Sequence, residues 1–180
     1  MGIFGPNIIG LKKKNDIPGL LKCLDHKKAQ IRYRAFLVLA NIPGLNEQAI
    51  GKLRSMLNDP DDSVRTVATL KFAEIGAPLA SRNLIELITK GAWKDKIELL
   101  KIIAGRGPNV DGPIVEAIVL ALADKKDIVR YKAVHAAGAT RRGHLVPHIA
   151  ACLRDRHSIM RVQVARSEEH TSELQSRQSI

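Results

Sequence analysis

Residues 58–68 indicate the fold, and they read Asn-Asp-Pro-Asp-Asp-Ser-Val-Arg-Thr-Val-Ala. Pro60 cannot continue a helix, and Ser63 can cap the next one. An apolar residue, a base and, three positions after the base, a small residue follow the cap at helical spacing. Residues 123–133 repeat this pattern as Ala-Asp-Lys-Lys-Asp-Ile-Val-Arg-Tyr-Lys-Ala. The chain therefore contains an internal repeat, which is a strong indicator of architecture.

The pattern occurs five times at intervals of 31 to 34 residues. The five segments begin at Ile31-Arg32, Val64-Arg65, Asp95-Lys96, Val129-Arg130 and Met160-Arg161. A second apolar stretch with helical spacing precedes each of them, over residues 17–24, 49–57, 84–89, 114–122 and 146–153. Each repeat is thus predicted to be a helix, a turn and a second helix. The predicted repeats span about 15–43, 44–76, 77–107, 108–143 and 144–165, and the last is cut short.

Apolar positions in the second helices recur at i, i+4 and i+8, as a core-facing stripe requires. The stripes are Val64, Ala68 and Phe72, with Ile75 one turn on, and Val129, Ala133 and Ala137. Small residues at one equivalent place (Ala35, Ala68 and Ala133) allow helices to approach closely. One helix pair cannot bury enough apolar surface alone, whereas stacked pairs can. The expected fold class is all-α, an α-solenoid of about five helix-turn-helix repeats of the armadillo/HEAT type.

The recurring form, an Asp followed after five residues by an Arg, resembles HEAT repeats over roughly residues 15–165. It is most similar to the short bacterial and archaeal type called phycobilisome-lyase HEAT-like. This resemblance implies hydrogen-bonded ladders between successive repeats, formed by Asp59, Arg65, Asp124, Arg130, Asp155, Arg161 and Arg32. The third repeat departs from the pattern, with Lys90 and Lys96 in place of the acid and the guanidinium. We expect a looser or re-angled junction there.

The two ends of the chain do not follow the repeat. Residues 1–14 are mildly apolar and then basic, which predicts a capping segment rather than a secretory signal. Residues 166–180 resemble the translation of a short-read sequencing adapter, so we treat them as a non-native tail in functional reasoning. The helical pattern stops in mid-repeat near Ala165, and we expect further repeats in the natural chain.

Few residues suggest catalysis or metal binding. Cys23 and Cys152 lie at equivalent places in the first and fifth repeats, too far apart to pair, and read as core thiols. His144 and His148 are four residues apart but lack a third ligand. Some HEAT-repeat iron hydroxylases bind metal through His-Glu pairs, and none of the six histidines here precedes a Glu. We therefore expect no catalytic residue, metal or cofactor. Trp93, in a turn, is a packing plug or an interface anchor, and the plug is favoured.

Composition and charge limit the classes of protein. The 180 residues include 29 Lys and Arg against 18 Asp and Glu, for a net charge of +11. A hydrophobic share of 45% argues against disorder. No apolar run approaches the roughly 18 residues that a membrane span needs. We expect a monomeric cytoplasmic protein that does not bind membranes.

The basic balance is the remaining functional signal. Exposed second-helix positions, which the resemblance places on a concave surface, combine bases with aromatic residues: Tyr33, Arg34, Lys71, Lys101, Tyr131, Lys132 and His135. Such a surface suits an acidic protein segment or a nucleic-acid backbone. We predict a non-enzymatic protein–protein interaction scaffold. One alternative is a nucleic-acid-binding module, by resemblance to DNA-repair glycosylases built from HEAT-like repeats. Another, implied by the family name alone, is an accessory factor for attachment of a bilin or another cofactor.

Overall fold

The structure is a computed structural model that describes residues 6–77 and 81–152. These residues form ten α-helices and two short 3-10 turns, with no strand among them. The helices are α1 (Ile8–Lys13), α2 (Ile17–Cys23), α3 (Ala29–Leu39), α4 (Glu47–Ser55), α5 (Asp62–Glu74), α6 (Ser81–Lys90), α7 (Trp93–Arg106), α8 (Gly112–Leu122), α9 (Asp127–Thr140) and α10 (Val146–Ala151). The 3-10 turns are Met56–Asn58 and Gly143–Leu145. The all-α expectation is confirmed.

Side-chain caps begin most of the first helices of the repeats. Asp16, Asn46 and Asp111 each accept a hydrogen bond from the backbone N–H three residues further on. Such a bond satisfies one of the donors that a helix start leaves without an internal partner. Asn7 does the same for α1. These caps fix where each helix begins.

The predicted cap of α5 was wrong by two residues. Asp61, rather than Ser63, receives the backbone N–H bonds, at 3.0 Å from Ser63 and 3.2 Å from Val64. Ser63 already lies inside the helix, which begins at Asp62. A carboxylate at this place also interacts favourably with the positive end of the helix dipole.

The chain divides into two compact units, and the N-terminal unit is Met1–Lys71. In it, α1 packs against α2 and α3, and α2 packs against α3. Its fully buried large side chains are Leu20, Leu24, Phe36 and Leu39. Helix α1 adds only Ile8 to the buried set, while Ile9 is exposed. The described part of the predicted capping segment is therefore a short helix with one buried side chain, that of Ile8.

The C-terminal unit, Phe72–Ile180, has two layers of helices within its described part. Helices α6, α8 and α10 form one layer, in which α8 packs against both of its neighbours. Helices α7 and α9 pack side by side in the other layer, and each also packs against α8. Eight large apolar side chains are fully buried: Leu84, Ile88, Leu99, Leu100, Ile103, Ile118, Leu145 and Ile149. In this unit, the first helices of consecutive repeats therefore stack on one another, and so do the second helices, as a repeat architecture requires.

The predicted core stripes are buried with one exception. Val64, Ala68, Val129 and Ala133 are fully buried, as is Ala35. Ile75 is 62% exposed because α5 ends at Glu74 and the chain turns away.

Trp93 also differs from expectation. It begins α7 and is 44% exposed, so the packing-plug interpretation is wrong.

Several other predictions fall on residues outside the described ranges, namely Asp155, Arg161 and the tail 166–180. None of the described helices combines the length and the apolar composition that a membrane crossing requires.

Candidate interaction surface

A buried ion pair joins the first two predicted repeats. Arg32 on α3 donates from Nε to Oδ2 of Asp59 at 2.7 Å and from Nη2 to Oδ1 at 2.6 Å. The Arg32 side chain is 11% exposed and the Asp59 side chain 2%. The backbone N–H of Asp61 also donates to Asp59, at 2.9 Å. Two parallel N–H···O bonds hold both planes in a fixed orientation, so this contact positions the turn before α5 against α3.

The surroundings of Asp59 lower its pKa. Burial acts to raise the pKa of this carboxyl, but the hydrogen bonds from Arg32 and from the Asp61 backbone outweigh burial, together with the positive charges of Arg32 and Arg65. The same contact with Asp59 raises the pKa of the Arg32 guanidinium. Both groups therefore stay charged at neutral pH.

A lysine makes the matching contact between the third and fourth predicted repeats. Nζ of Lys96 lies 2.7 Å from Oδ2 of Asp124, and the two side chains are 11% and 10% exposed. The hydrogen bond from Lys96, the backbone N–H of Lys126 and the charges of Lys96 and Arg130 overcome the effect of burial and lower the pKa of Asp124. Lys96 therefore makes the same kind of contact between repeats as Arg32 does. Lysine replaces the expected arginine at this position, but it still pairs with the acidic residue of the next repeat.

We expect both lowered carboxyl pKa values to make the protein acid-sensitive. A carboxyl that releases its proton more readily when folded contributes stability above its unfolded pKa of about 3.9. This contribution disappears as pH falls below about 4 and through the folded value. Urea denaturation at a series of pH values should show a steep loss there, and Asp59→Asn should flatten that slope. An unchanged slope in this variant would show that Asp59 does not supply the acid sensitivity.

Arg65 and Arg130, two further residues of the predicted ladder, contact the turns in front of their own helices. Nη1 of Arg65 donates to the carbonyl oxygen of Asp59 at 2.7 Å, and Arg65 also pairs with the carboxylate of Asp62. Nη1 of Arg130 donates to the carbonyl oxygen of Asp124 at 2.9 Å. Arg32 does the same with the carbonyl six residues before it, at 2.8 Å. These three arginines thus share one local role, which is to close the turn in front of their own helix.

The predicted binding residues of the N-terminal unit differ in their freedom to meet a partner. Arg34 is exposed on α3, and Tyr33 beside it is half-buried. Lys71 is half-buried as well, and its Nζ donates to Oδ1 of Asn41 at 3.1 Å. Of the two cations, Arg34 is therefore the more accessible to a partner, whereas Lys71 already contacts Asn41 within the unit.

The predicted binding residues of the C-terminal unit lie on the two neighbouring helices α7 and α9. Lys101 is exposed on α7 and pairs with Glu98 at 3.2 Å. On α9, Nζ of Lys132 lies 5.3 Å from the centre of the Tyr131 ring, which is a cation–π contact. His135 is exposed one turn further on. Lys96 and Arg130, which occupy equivalent positions in the third and fourth predicted repeats, are 34 residues apart. Glu98 and Lys132 have the same spacing, as do Lys101 and His135, so each of these pairs also occupies equivalent positions.

Sequence reasoning missed two features of this surface. Nζ of Lys94 lies 5.6 Å from the centre of the Trp93 ring at the start of α7. Ile128 at the start of α9 is 40% exposed. The dipeptide Trp93-Lys94 could have signalled the first, since an aromatic residue next to a base also occurs at Tyr131-Lys132. We define the α7–α9 face by seven residues of these two helices, of which all but the half-buried Lys132 are exposed: Trp93, Lys94, Glu98, Lys101, Ile128, Lys132 and His135.

The cysteines and the other possible metal ligands are dispersed. Cys23 and Cys152 are both buried. Burial, with a smaller effect from Asp16, raises the pKa of the Cys23 thiol. Within residues 6–77 and 81–152, no three His, Cys, Asp or Glu side chains converge on a point where they could hold a metal ion.

Comparison with solved structures shows the class of fold. A designed armadillo repeat protein in complex with the peptide (KR)4 matches with a TM-score of 0.59 and 18% identity, over 91% of this chain and 85% of that one. Computationally designed armadillo repeat proteins for modular peptide recognition match with a TM-score of 0.59 and 19% identity, over 92% and 87% of the two chains. The fold is therefore an α-solenoid of the armadillo/HEAT class.

A family model also matches part of the chain. Residues 17–104 match the family model described as HEAT repeats. The matched range includes Arg32, Asp59 and Lys96. A comparison with curated proteins gave no match.

Proposed function

We propose that this protein is a non-enzymatic scaffold, monomeric and cytoplasmic, that binds a partner protein through the exposed faces of its second helices. The observation that carries this proposal is the recurrence of an aromatic residue beside a cation on these helices, at Tyr33-Arg34 and again at Tyr131-Lys132. The α7–α9 face combines half-buried Lys132 with exposed cations and exposed apolar side chains of the same two helices. Stacked helices present such groups on a preformed surface, so binding needs little rearrangement.

The charge of the face favours an acidic segment as the partner. Lys94, Lys101 and Lys132 outnumber Glu98 and the neighbouring exposed Asp127, and the whole chain carries +11. A designed protein of similar fold forms a complex with the basic peptide (KR)4. The basic α7–α9 face should instead select an acidic peptide, because complementary potentials govern which partner is accepted.

Apolar side chains on the same face suggest that the segment also carries an apolar anchor. Trp93 and Ile128 are large and substantially exposed. Aromatic residues are enriched among the residues that dominate binding energy at interfaces. We therefore propose an acidic stretch with one or two apolar side chains, rather than a purely charged tail.

Charge reversal on the face tests this function. We expect Lys101→Glu with Lys132→Glu to weaken binding of a fluorescent (DE)4 peptide bearing one leucine by at least about tenfold, roughly 1.4 kcal/mol. The melting temperature should stay within about 2 °C, because surface substitutions of this kind have small effects on stability. Fluorescence anisotropy measures the affinity, and circular dichroism measures the melting temperature.

The matched control is Lys90→Glu with Lys12→Glu, because neither residue belongs to the α7–α9 face. Both residues are exposed on first-layer or capping helices, and the net charge changes equally. Equal weakening by both double variants would show that only overall charge matters. A (KR)4 peptide binding as well as (DE)4 would contradict the proposed selectivity.

The same titration separates the nucleic-acid alternative. A single-stranded oligonucleotide that binds through phosphates should lose affinity steeply with salt, by roughly 0.7 log units per log unit of salt for each phosphate contacted. Tight oligonucleotide binding with this slope, and none to (DE)4, would replace the scaffold proposal with nucleic-acid binding. A shifted visible spectrum on mixing with a bilin would instead favour the accessory-factor alternative.

A further inference from the structure

An open groove of about 880 Å³ lies in the N-terminal unit between α2 and α4. Its lining includes Ile17, Pro18 and Leu21 from α2, and Leu45, Ala49 and Gly51 from α4 and the loop before it. None of its lining residues belongs to α3, which carries Tyr33 and Arg34. The groove is therefore separate from the surface assigned to the proposed function.

Gly51 has no evident reason in the fold to be glycine. It lies in the interior of α4 with a backbone conformation that any residue can adopt, since its φ is not positive. A Cβ added there would meet nothing within 4 Å. Glycine is a poor helix former, so alanine would stabilise α4. A glycine that neither turn geometry nor internal packing requires, at the wall of an open groove, leaves room for another backbone to approach.

The charged residues along the groove favour carboxylates in the occupant. Lys22 is exposed on α2, and Lys52 on α4 pairs with Asp25 at 2.5 Å. The Asp25 side chain is 64% exposed and that of Lys52 is 38% exposed, so this ion pair remains accessible to solvent. Incoming carboxylates can therefore bind Lys22 directly and compete with Asp25 for Lys52.

The dimensions and the lining favour a helix as the occupant. On the α2 side the lining runs from Ile17 to Asp25, just past the end of the helix, and on the α4 side it runs from Gly44 to Ser55. At 1.5 Å per residue, the seven residues of α2 and the nine of α4 form helical walls about 10 to 14 Å long, which match seven to nine residues of a partner helix. Apolar grooves between helices accept the apolar stripe of an amphipathic helix, anchored at i, i+3, i+4 and i+7.

We propose that the α2–α4 groove is a second binding site, which takes an amphipathic helix of a partner protein with an apolar stripe flanked by carboxylates. Gly51 is the point at which α4 and the bound partner helix approach each other most closely. Lys22 and Lys52 pair with the flanking carboxylates.

A synthetic helical peptide of about 14 residues tests the site, with leucine along one face and glutamate elsewhere. We expect the full-length protein to bind it, and to bind the lysine-for-glutamate version at least about tenfold more weakly. Lys22→Glu should reduce this preference. Gly51→Leu should abolish binding while raising the melting temperature, because leucine fills the groove and favours the helix.

Two variants control for the change in helix propensity. Gly51→Ala should also raise the melting temperature but retain binding, since one methyl group occupies little of the groove. Gly105→Leu changes another glycine with open space around its Cβ position, in α7 and outside the groove, and should leave binding unchanged. Failure of both peptides to bind would overturn the proposal, and so would unimpaired binding by Gly51→Leu. Loss of binding with Lys132→Glu instead would assign the peptide to the α7–α9 face.

Discussion

Asp59→Ala should lower the free energy of unfolding by about 3 to 5 kcal/mol, the range for removing one partner of a buried ion pair. The substitution leaves the Arg32 guanidinium in a site where its side chain is only 11% exposed. Arginine stays protonated under all ordinary conditions, so the charge cannot be relieved by proton loss. Urea denaturation followed by circular dichroism measures the loss.

Asp25→Ala is a matched control for this variant. Asp25 pairs with Lys52 over the same sequence separation of 27 residues, but both side chains are substantially exposed. We expect its loss to cost less than about 1 kcal/mol, as for surface ion pairs in general. The double variant Arg32→Met with Asp59→Ala should be more stable than the sum of the single changes implies, because no unpaired charge remains. Equal losses for Asp59→Ala and Asp25→Ala would show that burial of the Arg32–Asp59 pair contributes nothing.

Asp124→Ala should cost about 2 to 3 kcal/mol at neutral pH, somewhat less than Asp59→Ala. The orphaned group is the Lys96 ammonium, which is also almost fully buried. Two parallel N–H···O bonds join Arg32 to Asp59, whereas one joins Lys96 to Asp124, so we expect the smaller loss for Asp124→Ala.

Urea denaturation of both variants at pH 7, each against the wild type, tests this difference. Lys96→Arg is the second arm, and it should leave stability near the wild-type value because Arg32 already makes this contact in the N-terminal unit. A loss below about 1 kcal/mol for Asp124→Ala, as for an exposed ion pair, would contradict the structural role of the Lys96–Asp124 contact.

The helices were predictable because their signals are local. Apolar residues at i, i+4 and i+8 specify which face of a helix is buried, and Val64, Ala68, Val129 and Ala133 are accordingly inside. Breakers and caps between them specify where helices end, to within a few residues. The errors at Ser63, Ile75 and Trp93 all fall at helix ends, where one residue of difference changes a side chain from inside to outside.

The contacts between repeats were harder to predict, as Lys96 shows. A pattern that required an arginine treated Lys96 as a departure, although its amine reaches Asp124 as the Arg32 guanidinium reaches Asp59. Residue type alone does not tell whether a different cation can span the same gap. That depends on the distance between two helices, which no single repeat contains.

The functional surfaces follow the same division between local and long-range information. Periodicity and composition were sufficient to predict that Arg34, Lys101 and His135 are exposed, because exposure within a repeat follows from the position along one helix. The α2–α4 groove and the open space beside Gly51 could not be read in this way. A groove is the gap left between elements distant in sequence, and its size depends on how closely their backbones pack.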